Sequence, residues 1–122
     1  MPRTVLDEVH IHPAIRDKVA NLHADFLAEV RAAVDANAVL VVGMQGNPHC
    51  ARARKALQTA GVAFKYLEYG SYLSQWRLRN TLKMWTGWPT FPMVFVKGTL
   101  VGGASDLDAL ISSGELQRLI GR

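Results

Sequence analysis

Cysteine is nearly absent from this sequence, in which Cys50 is the only one among 122 residues. A single cysteine excludes an internal disulfide, so buried apolar side chains must hold the fold together. No apolar run approaches the length of a transmembrane helix, and the first residues contain no apolar signal core. These absences indicate a chain without a membrane anchor that works in a reducing compartment, and we expect the cytoplasm.

Repeats, low-complexity tracts and linkers between domains are missing as well. A length of 122 residues suits one compact domain, and 49% hydrophobic with 20% charged residues is ordinary for a globule with a real core. We therefore predict a single domain over residues 1–122. Residues 1–12 carry no periodic pattern, so we expect an extended lead-in there.

The charge balance is mildly basic, with a net charge of +4 from 14 Lys and Arg against 10 Asp and Glu. Basic residues such as Arg77 and Lys83 stand at helical positions, without the interleaved aromatic residues that a single-strand binder uses. This arrangement disfavours a nucleic-acid partner. A small anionic ligand fits the charge better.

Apolar side chains recur at every third or fourth position from Ile15 to Val34, behind a proline at position 13. This spacing predicts one amphipathic helix of about six turns with a single apolar stripe. His12 and His23 are placed too irregularly for a metal site, and we expect them to be surface or capping residues. A continuous apolar run over residues 38–42 then predicts a strand buried on both faces of a sheet.

Turn residues separate the next elements. Asn47 suits the N-cap of a helix over residues 49–60, with Pro48 in its first turn and Gly61 after its end. Residues 62–69 alternate as in a strand. Residues 72–85 favour a helix whose apolar side chains are available for burial, namely Leu73, Trp76, Leu78, Leu82 and Trp85.

The stretch over residues 88–105, W-P-T-F-P-M-V-F-V-K-G-T-L-V-G-G-A-S, organises the rest of the chain. Two short apolar runs flank Lys97-Gly98, a dipeptide typical of a tight hairpin turn. Pro92 either begins the first strand or forms a cis peptide in a turn. Ser105 suits the N-cap of a helix over residues 106–111, and a final short helix follows from Ser113 onward.

The resulting order is α-β-α-β-α-β-β-α-α. Two parallel strands need a right-handed crossover helix, and the hairpin completes a mixed four-stranded sheet with helices on both faces. This is the α/β architecture of the thioredoxin-like fold, with an added N-terminal amphipathic helix.

The W-P-T-F-P motif, the hairpin, V-G-G and the terminal G-E-L-Q-R-L-I resemble a monothiol glutaredoxin over residues 38–120. The resemblance implies a glutathione site. In that family the residue before the proline presents its backbone to the cysteine of glutathione across a cis peptide, which here would be Phe91 before Pro92. Thr90 is assigned to the same glutathione site, and the alternative is that it only positions this proline.

The same resemblance assigns the two carboxylates of glutathione. Gly102-Gly103 is similar to the family's Gly-Gly before Cys-Asp, where amides at a helix N-terminus bind the γ-glutamyl carboxylate. Ala104-Ser105 replace Cys-Asp, so the Ser105 amide would bind the carboxylate and Asp106 would have to take over the amine.

Arg79 falls where the family has an arginine that meets the glycyl carboxylate of glutathione, although a solvated helix face would explain it equally well. Gln45 replaces the family's lysine near the same group, which removes one charge.

Two alignments place Cys50 differently. Set beside the dithiol pattern Cys-Pro-Tyr-Cys without gaps, Asn47 occupies the attacking position and Cys50 the resolving one, so the usual nucleophile is absent. The other alignment puts Cys50 on the nucleophile of Cys-Gly-Phe-Ser, followed by Ala51-Arg52-Ala53, and requires a helix three residues shorter than the family's. The first alignment needs fewer rearrangements inside elements.

Two functions follow from the resemblance. In the first, a Cys50 thiolate at a helix N-terminus removes glutathione from glutathionylated client proteins, or ligates a two-iron two-sulfur cluster that a homodimer shares and passes to iron–sulfur clients. In the second, Cys50 is a small buried hydrophobe, and the chain is a catalytically inactive binding or regulatory module with a thioredoxin fold.

Overall fold

The computed structural model describes residues 2–121, so Met1 and Arg122, the two ends of the predicted domain, lie outside it. A short 3-10 turn at Glu8–His10 precedes the regular elements. In chain order these are α1 (Pro13–Asn21), α2 (Ala24–Ala36), β1 (Val39–Gly43), α3 (Pro48–Thr59), β2 (Lys65–Glu68), α4 (Trp76–Thr86), β3 (Met93–Val96), β4 (Thr99–Gly102), α5 (Ala104–Ser112) and α6 (Glu115–Leu119).

The four strands form one mixed sheet in the order β2-β1-β3-β4. β1 pairs with β2 in parallel and with β3 in antiparallel orientation, and β4 completes an antiparallel hairpin with β3. The parallel pair is joined through α3, as a crossover requires. The predicted four-stranded sheet is therefore confirmed.

The hairpin turn behaves as its sequence predicts. Lys97 and Gly98 both have positive φ, 51° and 81°, which is the backbone of a type I′ turn. Val96 pairs with Thr99 on the two sides of this turn. The right-handed twist of the strands favours this turn type, and the local dipeptide is enough to select it.

Two apolar cores lie on opposite faces of the sheet because the side chains of β1 alternate. Leu40 and Val42 face the core that α2 and α4 cover with Val30, Val34 and Leu82. Val39 and Val41 face the second core, which α3, α5 and α6 cover with Ala53, Leu57, Leu107 and Leu116.

The predicted N-terminal amphipathic helix is wrong in one respect, because it is two helices. His23 has a left-handed backbone, with φ of 50°, and separates α1 from α2. Val30 and Val34 on α2 are buried, whereas Ile15 and Val19 on α1 are 45% and 51% exposed. The apolar period continues across the break, so periodicity alone does not reveal it. His12 does cap α1, since its Nδ1 accepts the N–H of Ala14 at 3.0 Å.

The region before α4 also differs from its prediction. α4 begins at Trp76 and not at residue 72, because Ser71 and Ser74 form a turn in which the Ser71 N–H donates to Ser74 Oγ at 3.1 Å. Leu73 is consequently 96% exposed. β2 is also shorter than the predicted strand over residues 62–69. None of the helices within residues 2–121 is long and apolar enough to cross a membrane.

Candidate functional site

A groove of about 290 Å³ opens where the N-termini of α3 and α5 approach the loop before β3. It brings together six residues that the sequence predicted, Thr90, Phe91, Pro92, Gly103, Ser105 and Asp106, and four that it did not, His49, Arg52, Trp88 and Ala104.

The loop before β3 forms one wall of the groove. The Phe91–Pro92 peptide bond is cis, in agreement with one of the two alternatives for Pro92. The Phe91 side chain packs in the core and is only 5% exposed. Gly103 lies on the opposite wall of the groove, close to this loop. A Cβ added at Gly103 would stand 3.5 Å from the carbonyl oxygen of Pro92.

The N-terminus of α5 forms that opposite wall. Gly103, and not the predicted Ser105, is the N-cap residue, and its N–H donates to Asp106 Oδ2 at 3.0 Å. A carboxylate at the third helical position that accepts the N-cap N–H forms half of a capping box. The pattern G-x-x-D in the sequence therefore indicates this helix start. The amides of Ala104 and Ser105 begin the helix, where N–H groups have no intrahelical partner and attract anions.

Trp88 contributes a hydrogen-bond donor that has no partner. Its Nε1 is buried, and it makes no hydrogen bond within the part of the chain that the structure describes. The same atom lies 3.6 Å from where a Cβ at Gly103 would stand, so it belongs to the inner wall of the groove. Buried donors are rarely left unpaired, because each costs about 1–3 kcal/mol. The tryptophan of the W-P-T-F-P motif therefore offers a bond to whatever fills the groove.

Arg52 brings positive charge to the same site. Its Nη2 donates to Ser105 Oγ at 2.9 Å, and its Nε lies 3.5 Å from Asp108 Oδ2. The Arg52 side chain is 46% exposed and is among the residues that line the groove. The contact joins residues 53 positions apart, and no local sequence pattern predicts it.

Cys50 does not line the groove. It is 1% exposed and packs in the core beside Leu40 and Val42. Its sulfur lies at the end of β1, 2.9 Å from the position that a Cβ at Gly43 would take. Burial raises the pKa of the Cys50 thiol, and a backbone hydrogen bond from Met44 and the charge of Arg54 offset this only in part. The group is thus a neutral thiol near pH 7.

Asn47 occupies the N-cap of α3, followed by Pro48 in the first turn. Its Oδ1 accepts the N–H groups of His49 and Cys50 at 2.8 and 3.1 Å, and its Nδ2 donates to Tyr72 Oη at 3.3 Å. An amide thus stands where a helix N-terminus would stabilise a thiolate. This is the position that the ungapped alignment gives to Asn47.

Arg79 and Gln45 lie outside the groove. Arg79 is only 7% exposed, so it is not on a solvated helix face, and its Nη1 donates to the backbone carbonyls of Tyr69, at 3.1 Å, and Ser74. The Arg79 guanidinium therefore holds the segment between β2 and α4. Gln45 has an exposed side chain, and its N–H donates to the Gly70 carbonyl at 2.6 Å.

The described residues contain no group of three or more His, Cys, Asp or Glu side chains that could hold a metal ion. The possible cluster ligand, Cys50, is buried away from the groove. An iron–sulfur ligand must face the cluster as a soft thiolate, so ligation through Cys50 requires α3 to rearrange at its first turn.

A mixed four-stranded sheet, helices on both faces and a cis-proline groove beside a helix N-terminus define a thioredoxin-like protein. A family model described as glutaredoxin matches residues 39–101. The chain belongs to the glutaredoxin family.

Individual relatives agree with this assignment. The "Glutaredoxin-like protein" of Dictyostelium discoideum is 48% identical over 102 residues, which cover 84% of this chain and 83% of that protein. The "Probable monothiol glutaredoxin GrlA" of Legionella pneumophila is 34% identical over 76 residues, covering 60% of this chain and 82% of the relative. The crystal structure of oxidized glutaredoxin 2 from Chlamydomonas reinhardtii superimposes with a TM-score of 0.69 at 29% identity, covering 80% of this chain and 92% of that one. The predicted family and the predicted thioredoxin-like fold are both confirmed.

Proposed function

We propose that this glutaredoxin-family protein binds glutathione in the groove between Pro92 and α5 and acts there as a binding module without a thiolate nucleophile. One contrast carries the proposal. The groove is open, with a volume of about 290 Å³, whereas the only sulfur that could attack a substrate is 1% exposed.

The polar groups around the groove match those of glutathione, a tripeptide with two carboxylates and one amine. The backbone at Phe91–Pro92 lies beside the groove and can pair with a peptide ligand. The amides at the start of α5 and the Arg52 guanidinium attract a carboxylate. A groove volume of about 290 Å³ lies close to the lower end of the range for small-molecule sites, roughly 300–1,000 Å³.

The chemistry of Cys50 favours binding over catalysis. Attack on a mixed disulfide needs a thiolate in contact with the disulfide sulfur. Burial raises the pKa of Cys50, and its side chain faces the core instead of the groove. Asn47, at the N-cap of α3, cannot replace it, because the lone pair of a neutral amide nitrogen is delocalised into the carbonyl and does not attack a disulfide.

A second candidate function is favoured by the monothiol relative from Legionella pneumophila. In it, Cys50 becomes accessible and either removes glutathione from glutathionylated client proteins or ligates a two-iron two-sulfur cluster in a homodimer. The cluster would then pass to iron–sulfur client proteins. Both functions depend on reduced glutathione, so we expect the protein to act in a reducing compartment such as the cytoplasm.

Titration calorimetry with reduced glutathione tests the binding proposal. We expect saturable heat for the wild type and an affinity within about twofold for Cys50→Ala, because the sulfur lies outside the groove. Lys55→Gln is the control variant and should bind glutathione as the wild type does, since Lys55 is exposed on α3 and does not line the groove. The absence of saturable binding to the wild type would overturn the proposal.

A glutathionylated-peptide assay separates the two candidates. The binding module predicts equal background rates for the wild type and Cys50→Ala. A rate that depends on Cys50 would instead establish the second candidate. Anaerobic reconstitution with iron and sulfide, followed by visible absorption and a monomer-to-dimer shift, tests the cluster separately.

A further inference from the structure

We propose that Arg52 determines the specificity of the groove by binding the α-carboxylate of a γ-glutamyl group. This inference rests on the proposed glutathione site and assigns one end of it to one side chain. Arg52 lies on α3 and lines the groove beside the N-terminus of α5. It joins the site only because α3 packs against α5.

The guanidinium of Arg52 is anchored by two oxygen atoms of α5. Its Nη2 donates to Ser105 Oγ at 2.9 Å, and its Nε lies 3.5 Å from Asp108 Oδ2. A guanidinium has five N–H donors in a planar fork, so these two partners leave donors for a ligand. Because the side chain is already held in place, little rotational freedom is lost when a carboxylate binds.

The charges around Arg52 favour a carboxylate over an amine. The first amides of α5 and the helix dipole add partial positive charge beside the guanidinium. Two carboxylates oppose this charge. Asp108 Oδ2 lies 3.5 Å from Arg52 Nε but Asp108 does not line the groove, and Asp106 Oδ2 already accepts the Gly103 N–H at 3.0 Å. The family's acid at the position of Ser105 is a hydroxyl here, and that hydroxyl accepts from Arg52. The γ-glutamyl carboxylate is therefore the group that this end of the groove fits.

A structural role for Arg52, as a clamp between α3 and α5, makes different predictions. A clamp would lower stability when removed and would weaken the binding of every ligand to the same extent. A carboxylate-binding residue weakens only those ligands that carry the carboxylate. Ligand analogues that lack one group at a time separate the two roles.

The experiment measures the affinity of glutathione, glutaryl-cysteinylglycine and 4-aminobutyryl-cysteinylglycine by titration calorimetry. The second compound lacks only the amine of glutathione, and the third lacks only the α-carboxylate. For the wild type we expect the amine-free analogue to bind within about threefold of glutathione, and the carboxylate-free analogue at least about tenfold more weakly.

The variant Arg52→Gln then tests whether the Arg52 side chain causes this difference in affinity between the two analogues. We expect about a tenfold loss for glutathione and for the amine-free analogue, and no further loss for the carboxylate-free analogue. Lys55→Gln, an exposed charge change on the same helix outside the groove, should leave all three affinities unchanged. Thermal unfolding of each variant checks that the fold is retained.

Two results would overturn the inference while leaving the proposed function intact. One is wild-type binding of glutathione that is insensitive to Arg52→Gln. The other is an equal loss for all three ligands in that variant, which is the behaviour of a clamp. If the wild type binds none of the three compounds, the proposed function itself fails and the inference fails with it. The wild-type comparison of the two analogues stands even if the variant does not fold.

Discussion

The side-chain oxygen of Asn47 accepts a hydrogen bond from the backbone N–H of Cys50, with 3.1 Å between the two atoms. It also accepts the N–H of His49 at 2.8 Å. These N–H groups at the start of α3 are the ones that stabilise a thiolate at the N-terminus of a helix. Here they donate to the side-chain oxygen of Asn47, while the sulfur of the only cysteine lies in the core.

Asn47→Cys should restore a reactive thiol at the N-cap of α3. We expect its pKa to lie at least about one unit below that of an ordinary cysteine, because free amides and the helix dipole favour the thiolate. Iodoacetamide labelling as a function of pH measures the pKa, in a Cys50→Ala background so that one thiol is present. Cys50 alone, in the wild type, is the matched control and should label slowly near pH 7. An ordinary or raised pKa for the new thiol would contradict this expectation.

The raised pKa of Cys50 predicts a loss of stability at alkaline pH. Burial raises the pKa in the folded protein above its unfolded value, for which 9.0 is the ordinary reference. The unfolded state therefore releases the thiol proton first, and the free energy of unfolding falls as pH rises above about 9, by up to about 1.4 kcal/mol per pH unit. Urea unfolding of the wild type and Cys50→Ala between pH 7 and 10 measures the difference.

Tyr66, whose pKa burial also raises, is present in both proteins, but the charge of Cys50 contributes to that pKa. The comparison therefore reports the cysteine together with its effect on Tyr66. We expect the stability difference between the wild type and Cys50→Ala to shrink above about pH 9. Parallel stability curves across the whole range would show that the thiol ionises alike in the folded and unfolded chains.

Arg79→Met should destabilise the fold without weakening glutathione binding. The substitution leaves the carbonyls of Tyr69 and Ser74 without their donor, which we expect to cost about 2 kcal/mol or more in urea unfolding. Arg77→Met, at an exposed position of the same helix, should change stability by less than about 0.5 kcal/mol.

Glutathione affinity, measured where Arg79→Met remains folded, should stay within about twofold of the wild type, because Arg79 does not line the groove. A loss of about tenfold would instead support the contact with the glycyl carboxylate that the resemblance implies.

Gly103→Ala should narrow the groove and leave the fold intact. The added Cβ would lie 3.5 Å from the Pro92 carbonyl oxygen and 3.6 Å from Trp88 Nε1, which are ordinary contact distances. Replacing a glycine N-cap costs no more than about 1 kcal/mol. We expect glutathione affinity to fall by at least about fivefold, because the methyl group takes space between the two walls. Ser112→Ala, at the other end of α5, is the control, and equal affinities of the two variants would count against the groove as the binding site.

Elements that depend on neighbours in the chain could be predicted well. The type I′ turn at Lys97-Gly98 and the Asn47 cap of α3 each need only a few consecutive residues. The buried strand β1 could be predicted from the continuous apolar run in its own sequence. The break at His23 has no such signal, since the apolar period continues through it and only the backbone angle separates α1 from α2.

Contacts between distant residues could not be predicted in the same way. Arg79 looks like a surface cation in the sequence, and it is buried because the turn between β2 and α4 folds back over it. The bond from Arg52 to Ser105 requires α3 and α5 to pack side by side. Family resemblance located the groove, but it did not reveal Arg52 or the unpaired Trp88 donor.

The sequence by itself determined the family, the order of the elements and the proline-glycine framework of the groove, because these depend on local propensity and short motifs. Tertiary structure alone decided that the Cys50 sulfur packs in the core at the end of β1 while the guanidinium of Arg52, from the same helix, reaches the groove. The physical reason is helix geometry, in which residues two positions apart point in different directions. Which of them meets the core and which meets a ligand depends on how the sheet and α5 pack around that helix.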